Sequence, residues 1–318
     1  MIEGRILHLQ RFSTEDGPGL RTTVFFKGCS LRCAWCHNPE SLSSRLQTVW
    51  YPTRCLDCRT CLSACPNGCL SMGADGLRID RERCQGCLTC AQACPSGAIE
   101  ALGRVISAES LVRELAKDRA YFDASGGGVT LSGGEPTFQA EFAQAVLRDL
   151  KLMGISTALD TCGECSQRSL DRLLPYTDLV LFDLKLIDAE QHRAFTGQAN
   201  TLILENLLFL REYLLDRERP GELWIRTPLI PGATATAENL QAIGEWIARN
   251  LPGRVARWEL CAFNNLCRDQ YARLGLDWPY CRTPLMSLEE LASCEQTAKS
   301  SGVDASIVHA SGATRVPA

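Results

Sequence analysis

The chain has 318 residues, 45% hydrophobic and 22% charged, with a formal net charge of −4. These values suit one large α/β domain or two smaller ones. They exclude a basic nucleic-acid footprint, and no apolar run approaches the ~18 residues of a membrane span. Cysteine is the outlier: 18 thiols, most in tight groups, follow an N-terminus without the apolar stretch of a secretory signal. That pattern points to metal ligation in a reducing cytoplasm rather than to disulfides.

Residues 5–12 alternate, with Ile6, Leu7, Leu9 and Phe12 among polar neighbours, and predict a strand. Asp16-Gly17-Pro18-Gly19 forces a turn. Residues 22–27 are β-branched and aromatic and predict a second strand. It delivers the chain into a loop where Cys29, Cys33 and Cys36 stand at C-x3-C-x2-C. A 4Fe–4S cluster that only carries electrons usually gives each of its four irons a thiolate. Three thiolates leave one iron open, and an open position on a metal is where a small molecule binds and reacts. The competing reading of the trio is a disulfide or a zinc knuckle. Adjacent His37 as a fourth ligand would close the open position.

From about Trp50 to Ala101 the composition changes. Cys55-x2-Cys58-x2-Cys61-x3-Cys65-Pro66 is followed by Cys84-x2-Cys87-x2-Cys90-x3-Cys94-Pro95. This is the bacterial two-cluster ferredoxin pattern, in which the fourth cysteine of each run serves the other cluster. It assigns Cys55, Cys58, Cys61 and Cys94 to one 4Fe–4S cluster, and Cys84, Cys87, Cys90 and Cys65 to a second. Cys69, Cys162, Cys165, Cys261, Cys267, Cys281 and Cys294 fall outside the motifs and read as small buried hydrophobes.

After residue 105 strands alternate with helices. Helices are predicted over 109–122, 138–153, 200–215, 238–250 and 287–299, with another around Leu170–Leu174. Strands are predicted over 128–132, 155–161, 179–184, 223–229, 257–262 and 305–308. Apolar strands alternating with helices mean a parallel sheet, doubly wound or closed toward a barrel. Gly133-Gly134-Glu135, Asp160-Thr161, Asp183-Leu184-Lys185, Arg226 and Asn264 fall at strand ends, which line one mouth in a β/α barrel. The paired glycines let a ligand approach the backbone where a Cβ would clash. Asp183 and Lys185, two apart, face one side of their strand.

The chain resembles the glycyl-radical-enzyme activating enzymes, a branch of the radical S-adenosylmethionine (SAM) superfamily. The resemblance rests on Asp16-Gly17-Pro18-Gly19-Leu20-Arg21-Thr22, on Gly28 through Glu40, and on Ser125 through Pro136. Asp183-Leu184-Lys185, His192-Arg193 with Thr196-Gly197, and Pro228-Leu229-Ile230-Pro231-Gly232 complete it. It implies an α/β fold: a partial (β/α)6 barrel from residues 1–50 and 102–318, with a ferredoxin-like insert carrying two 4Fe–4S clusters at 51–101. It implies a third, catalytic 4Fe–4S cluster on Cys29, Cys33 and Cys36, with SAM chelating the fourth iron. Reductive cleavage of SAM to a 5′-deoxyadenosyl radical then takes hydrogen from a glycine of a partner glycyl radical enzyme.

By the same resemblance, Gly133, Gly134 and Glu135 receive SAM, Glu135 as acceptor for its ammonium. Lys185 stands near its carboxylate, Asp183 near its ribose or a bound cation, with Leu184 between them. Trp35, Cys36 and His37 offer backbone to the adenine, and Asp160-Thr161 match a monovalent-cation position. Asn264 stands where shorter relatives carry histidine, so it can hydrogen-bond but not titrate near neutrality. The implied electron donor is a flavodoxin or ferredoxin in an anaerobic cytoplasm, with no nucleic acid or membrane involved. The insert argues for a dehydratase, decarboxylase or C–N or C–S lyase partner. Two other readings are a peptide-modifying radical SAM enzyme with auxiliary clusters and a non-enzymatic electron carrier. The first usually carries its extra cysteines after the barrel. The second leaves a three-cysteine site beside Gly133-Gly134-Glu135 unexplained.

Overall fold

The computed structural model describes residues 2–315. Its strands are β1 Glu3–Ser13, β2 Arg21–Phe26, β3 Gln47–Trp50, β4 Leu70–Gly73, β5 Gly76–Ile79, β6 Ile99–Leu102 and β7 Arg104–Ser107. They continue as β8 Gly128–Gly133, β9 Ser156–Thr161, β10 Leu179–Asp183, β11 Glu222–Leu229, β12 Arg257–Ala262 and β13 Val308–Ser311. Nine of them form one sheet in the order β13-β12-β11-β10-β9-β8-β2-β1-β7. From β2 across to β13 every neighbour is parallel, while β1 and β7 pair antiparallel at the other end. The six parallel strands β2 and β8–β12 carry the intervening helices, and β13 adds a short seventh. β13 starts at Val308 rather than at 305, because Ala305–Ile307 is a 3-10 turn capped by Asp304.

The parallel strands are covered on both sides, as their continuous apolar runs require. Val129, Leu131, Leu159, Val180, Phe182, Ile225 and Leu260 expose no surface, and each contributes about 1.5–3 kcal/mol by leaving water. The helix Ala140–Leu152 buries Phe142, Ala143, Val146, Leu147 and Leu150, one stripe of a 3.6-residue repeat. Side-chain caps start the helices where chemistry calls for them: Ser107, Ser166, Asp188 and Thr236 each accept a backbone N–H three residues on. Ser287 and Glu290 form a capping box.

The helix expected over 109–122 is instead two, Ala108–Leu115 and Arg119–Ser125, joined by a 3-10 turn at Ala116–Asp118. The break holds the Asp118 carboxylate on Thr22 Oγ1 (2.9 Å) and Arg11 Nε (2.9 Å), tying it to the first two strands. No described helix is long and apolar enough to cross a membrane.

Between β2 and β7 the cysteine-rich segment leaves the sheet. β3 and β6 pair antiparallel at its base, from Gln47 with Leu102 to Trp50 with Ile99. Beyond them lie the hairpin β4–β5 and two one-turn helices, Thr60–Ala64 and Thr89–Gln92. The two halves repeat each other at an offset of 29 residues. Arg59 and Leu88 both take left-handed backbone, and Thr60 and Thr89 both set a hydroxyl 3.4 Å from the preceding cysteine sulfur, Cys58 and Cys87.

Candidate active site

The C-terminal ends of β8 to β12 and the loop after β2 enclose one cavity of about 560 Å³. The loop is shaped by backbone. Gly28, at φ +96°, donates to Ser41 O (2.7 Å), and its carbonyl accepts Glu135 N (2.8 Å). Gly134 N donates to Phe26 O (2.9 Å). A Cβ on Gly133 would lie 2.5 Å from Phe25 Cα, and one on Gly134 would lie 2.2 Å from Gly28 O. The paired glycines therefore permit β8 and the cysteine loop to touch, a reason the sequence leaves hidden. The far side of the loop is held by Arg32 N on Thr196 O (2.7 Å) and Ala34 N on Phe195 O (2.8 Å). Tyr271 Oη donates to Cys36 O (3.0 Å), and His37 Nε2 meets Asn264 O (3.0 Å).

Cys29, Cys33 and Cys36 are free thiols on this cavity wall. Among the described residues no three His, Cys, Asp or Glu side chains converge on a single ion. A 4Fe–4S cube asks for something else, since each thiolate reaches its own iron. Three thiols on the wall of a cavity that polar strand ends also line suit a cluster with one open corner. Burial pushes Cys33 up to about 11 and Cys36 higher still. Cys29 is held below the ordinary thiol range, chiefly by a hydrogen bond with Cys162.

Trp35, His37, Gly133, Gly134, Asp160, Thr161, Asp183, Lys185 and Asn264 join the three cysteines on the same wall. Lys185 is buried and bonds the Asp183 carboxylate. Burial favours the neutral amine, but Asp183 and the neighbouring Cys33 and Cys162 overcome it and raise its pKa. Burial, opposed by Arg226 and aided by Asp183 and Asp16, pushes the Asp160 carboxyl up to about 7. Ser132 Oγ donates to Asp160 Oδ2.

Two residues that the resemblance assigns to SAM are buried and absent from the cavity lining. Glu135 is 1% exposed and off the cavity wall. Its Oε1 accepts from Thr137 N (3.0 Å), Thr137 Oγ1 (2.7 Å) and Thr161 Oγ1 (2.9 Å), and its Oε2 from Cys162 N (2.8 Å). Its carboxylate ties β8 to the end of β9, because those buried N–H groups need an acceptor. Leu184 is likewise buried, its side chain in the core. Leu184 N donates to Arg226 O (2.9 Å), and its carbonyl accepts Thr227 Oγ1 (2.8 Å).

Arg226, expected at a strand end on the mouth, does line the cavity, and with it stand groups that spacing did not single out. Arg226 stands among three carboxylates: Asp160 at 3.7 Å, Asp16 at 3.8 Å and Glu259 at 3.1 Å. The last is a close ion pair whose N–H is not aimed along a hydrogen bond. Cys162, buried as expected, and half-buried Cys261 also line the wall. The available signal was position: Cys162 follows Asp160-Thr161, and Cys261 lies near the end of β12. Asn239 Nδ2 donates to Lys185 O (3.0 Å), a support that no local pattern announces.

In the cysteine-rich segment a second cavity is lined by Cys55, Cys58, Cys61 and Cys94, with Trp50 and Ile99 about it. Cys65, Cys84, Cys87 and Cys90 neighbour one another on the other side of the pseudo-repeat. Cys69, read as a plain core residue, lies with its sulfur 3.3 Å from that of Cys65.

A parallel sheet that opens its strand ends onto a three-cysteine loop is the architecture of a radical SAM enzyme, and the Radical SAM superfamily model matches residues 23–241. The chain is 41% identical over 270 residues to the trans-4-hydroxy-L-proline dehydratase activating enzyme of Clostridioides difficile, covering 85% of this chain and 87% of that one. It is 38% identical over 282 residues to the (2S)-3-sulfopropanediol dehydratase activating enzyme of Klebsiella oxytoca (87% and 86% covered). It is 37% identical over 306 residues to the pyruvate formate-lyase 2-activating enzyme of Escherichia coli K12 (95% and 92% covered). Among solved structures, Streptococcus suis SuiB bound to the precursor peptide SuiA aligns at a TM-score of 0.52 and 11% identity, covering 89% of this chain and 46% of that one, a likeness of fold alone. The chain belongs to the glycyl-radical-enzyme activating enzymes of the radical SAM superfamily, whose chemistry needs a 4Fe–4S cluster and SAM.

Proposed function

We propose that Cys29, Cys33 and Cys36 hold the catalytic cluster and that the chain activates a glycyl radical enzyme of the dehydratase or lyase type. The observation that carries this is the single cavity on which the three thiols face Gly133, Asp183 and Lys185. When bound, cluster and SAM supply the 5′-deoxyadenosyl radical that abstracts hydrogen from the partner's glycine. The protein's part is to orient. Lys185, cationic and paired with Asp183, suits the SAM carboxylate, and Asp183 the ribose. The open backbone beside Gly133 and Gly134 receives the methionine end, and Trp35 to His37 the adenine. Asn264 adds a hydrogen bond without titrating. Glu135 acts as a positioning residue through Thr161 and Cys162. A monovalent cation beside Asp160 would favour its charged form, which burial now opposes.

The eight cysteines of residues 51–101 hold two further clusters, four thiolates each, in a ferredoxin-like insert. The matching of one cavity to Cys55, Cys58, Cys61 and Cys94 supports the crossed assignment. A flavodoxin or ferredoxin delivers the electron to this insert. The free state of all 18 cysteines suits a reducing, anaerobic cytoplasm. The test is anaerobic incubation of reconstituted protein with SAM and dithionite. 5′-Deoxyadenosine and methionine form in equal amounts, and a co-encoded partner then shows a glycyl EPR doublet. Absence of 5′-deoxyadenosine defeats the proposal. Cleavage with no doublet on any co-encoded partner favours a peptide-modifying enzyme instead.

A further inference from the structure

The two cysteine sets of the insert are related by an internal repeat, so their sequences alone make them equivalent. Their surroundings differ. Gly86, between Cys84 and Cys87, lies so close to the chain leading out of the catalytic loop that a Cβ there would stand 2.1 Å from Leu46 O. Its counterpart in the first repeat is Asp57. Both take left-handed backbone, at φ +70° and +49°. Asp57, however, keeps its side chain 63% exposed. The same loop is pressed against the chain leaving the catalytic loop in one repeat and open to solvent in the other, and only the pressed copy requires glycine.

A second contact agrees. Arg81, three residues before Cys84, donates to Leu274 O (2.8 Å), Arg273 O (3.0 Å) and Thr48 O (3.1 Å). Arg273 and Leu274 end the helix Arg268–Leu274. Tyr271 of that helix donates to Cys36 O, so one short run of structure joins the Cys84 loop to the catalytic loop. Arg81 and Leu274 also share the lining of a cavity of about 370 Å³ with Cys29 and Arg32. The cavity lined by Cys55, Cys58, Cys61 and Cys94, by contrast, is walled only by Trp50 and residues of the insert, beside 71%-exposed Leu56. Cys58 and Cys87 are both exposed, so exposure of that thiol does not separate the sets; the loop contacts do.

We infer that the two sets act in series: Cys65, Cys84, Cys87 and Cys90 hold the inner cluster that reduces the catalytic one, and Cys55, Cys58, Cys61 and Cys94 hold the outer cluster that meets the external donor. This rests on the reading that the insert carries two clusters. One electron passes at each step. The inner cluster goes from the 1+ to the 2+ state as the catalytic cluster goes from 2+ to 1+. The outer cluster refills the inner, and a one-electron donor of flavodoxin or ferredoxin type refills the outer. No bond is made or broken in the insert.

The test uses the reconstituted, fully reduced holoenzyme. SAM binds only at the open iron, so the EPR signal that responds to SAM belongs to the catalytic cluster, and its relaxation reports the nearest paramagnet. Cys58→Ser is expected to keep the enhanced relaxation of that signal, and Cys87→Ser to lose it. Gly86→Asp retains every ligand. It is expected to keep the native iron content while weakening the enhancement, because the loop must lift off Leu46. Pulsed dipolar measurement on the unmodified holoenzyme gives the order without any variant. Loss of the enhancement in Cys58→Ser but not in Cys87→Ser, or a shorter catalytic-to-outer distance, overturns the series. An unmodified holoenzyme holding about four irons, one cluster's complement, rather than about twelve overturns the two-cluster reading beneath it.

Discussion

Replacing Glu135 separates two roles that a Gly-Gly-Glu motif can carry. In Glu135→Ala the N–H groups of Thr137 and Cys162 lose their acceptor inside the protein, as do the hydroxyls of Thr137 and Thr161. The hydroxyls can turn elsewhere, but the two buried N–H groups cannot. At about 1–3 kcal/mol for each unsatisfied group the loss is about 2–6 kcal/mol. That is a large share of the roughly 5–15 kcal/mol that holds a domain folded. Glu135→Gln keeps an oxygen for the three bonds at Oε1 but turns an amide toward Cys162 N–H, so its loss is one bond, about 1–3 kcal/mol. At roughly 2 °C per kcal/mol for a chain of this size, the alanine variant melts about 4–12 °C lower and the glutamine variant about 2–6 °C lower. The assay is a thermal scan of cluster-loaded protein under argon, followed by tryptophan fluorescence, with SAM affinity measured separately below the transition. Unchanged melting together with collapsed SAM affinity would refute the reasoning, since it would put the carboxylate on SAM rather than on β9.

Gly134→Ala should displace the cysteine loop, because its new Cβ would meet Gly28 O at 2.2 Å; the readout is iron bound at the catalytic site by reconstituted protein, expected to fall. Burial pushes the Asp160 carboxyl above the usual carboxylate range, up to about 7. Its contribution to stability is therefore full below pH ~4 and is lost as pH rises through about 7. Against Asp160→Asn, wild-type cation-free protein should lose relative stability across that window in denaturant titrations, and a flat difference would contradict the burial argument. Cys33, with its thiol near 11, must shed a proton to bind iron. Cluster reconstitution should accordingly strengthen from pH 7 to pH 9, and pH-independent uptake would count against thiolate ligation there. Cys33→Ala should abolish SAM cleavage in the assay of 5′-deoxyadenosine.

The strands were legible because the parallel ones are buried on both faces and so read as unbroken apolar runs, Leu179–Phe182 above all. The helix expected over 109–122 was misjudged because its break is made by Asp118 reaching Thr22 and Arg11, residues about a hundred positions away. The helices Ala189–Thr196 and Arg268–Leu274 were missed because each spans only about two turns and carries little periodic pattern. At the site, spacing picked out Cys29, Cys33 and Cys36, which the structure brings to one cavity, because a short loop keeps close neighbours together. The bonds of Glu135, the carboxylates around Arg226 and the cavity-facing places of Cys162 and Cys261 were not legible, because they depend on residues brought together from distant strands.

The sequence by itself determined the spacing of the cysteines: three in one loop, and two runs of four in the segment that follows. It also determined the alternation of strands and helices. Both are written in short-range spacing, which a single loop or a single strand enforces. Only the tertiary structure decided that Glu135 braces β8 against β9, that Arg226 stands among Asp16, Asp160 and Glu259, and that Gly86 packs on Leu46 while Asp57 faces water. Those outcomes depend on contacts between residues far apart in the chain, where burial and the need to satisfy each buried N–H group override what any local pattern can specify.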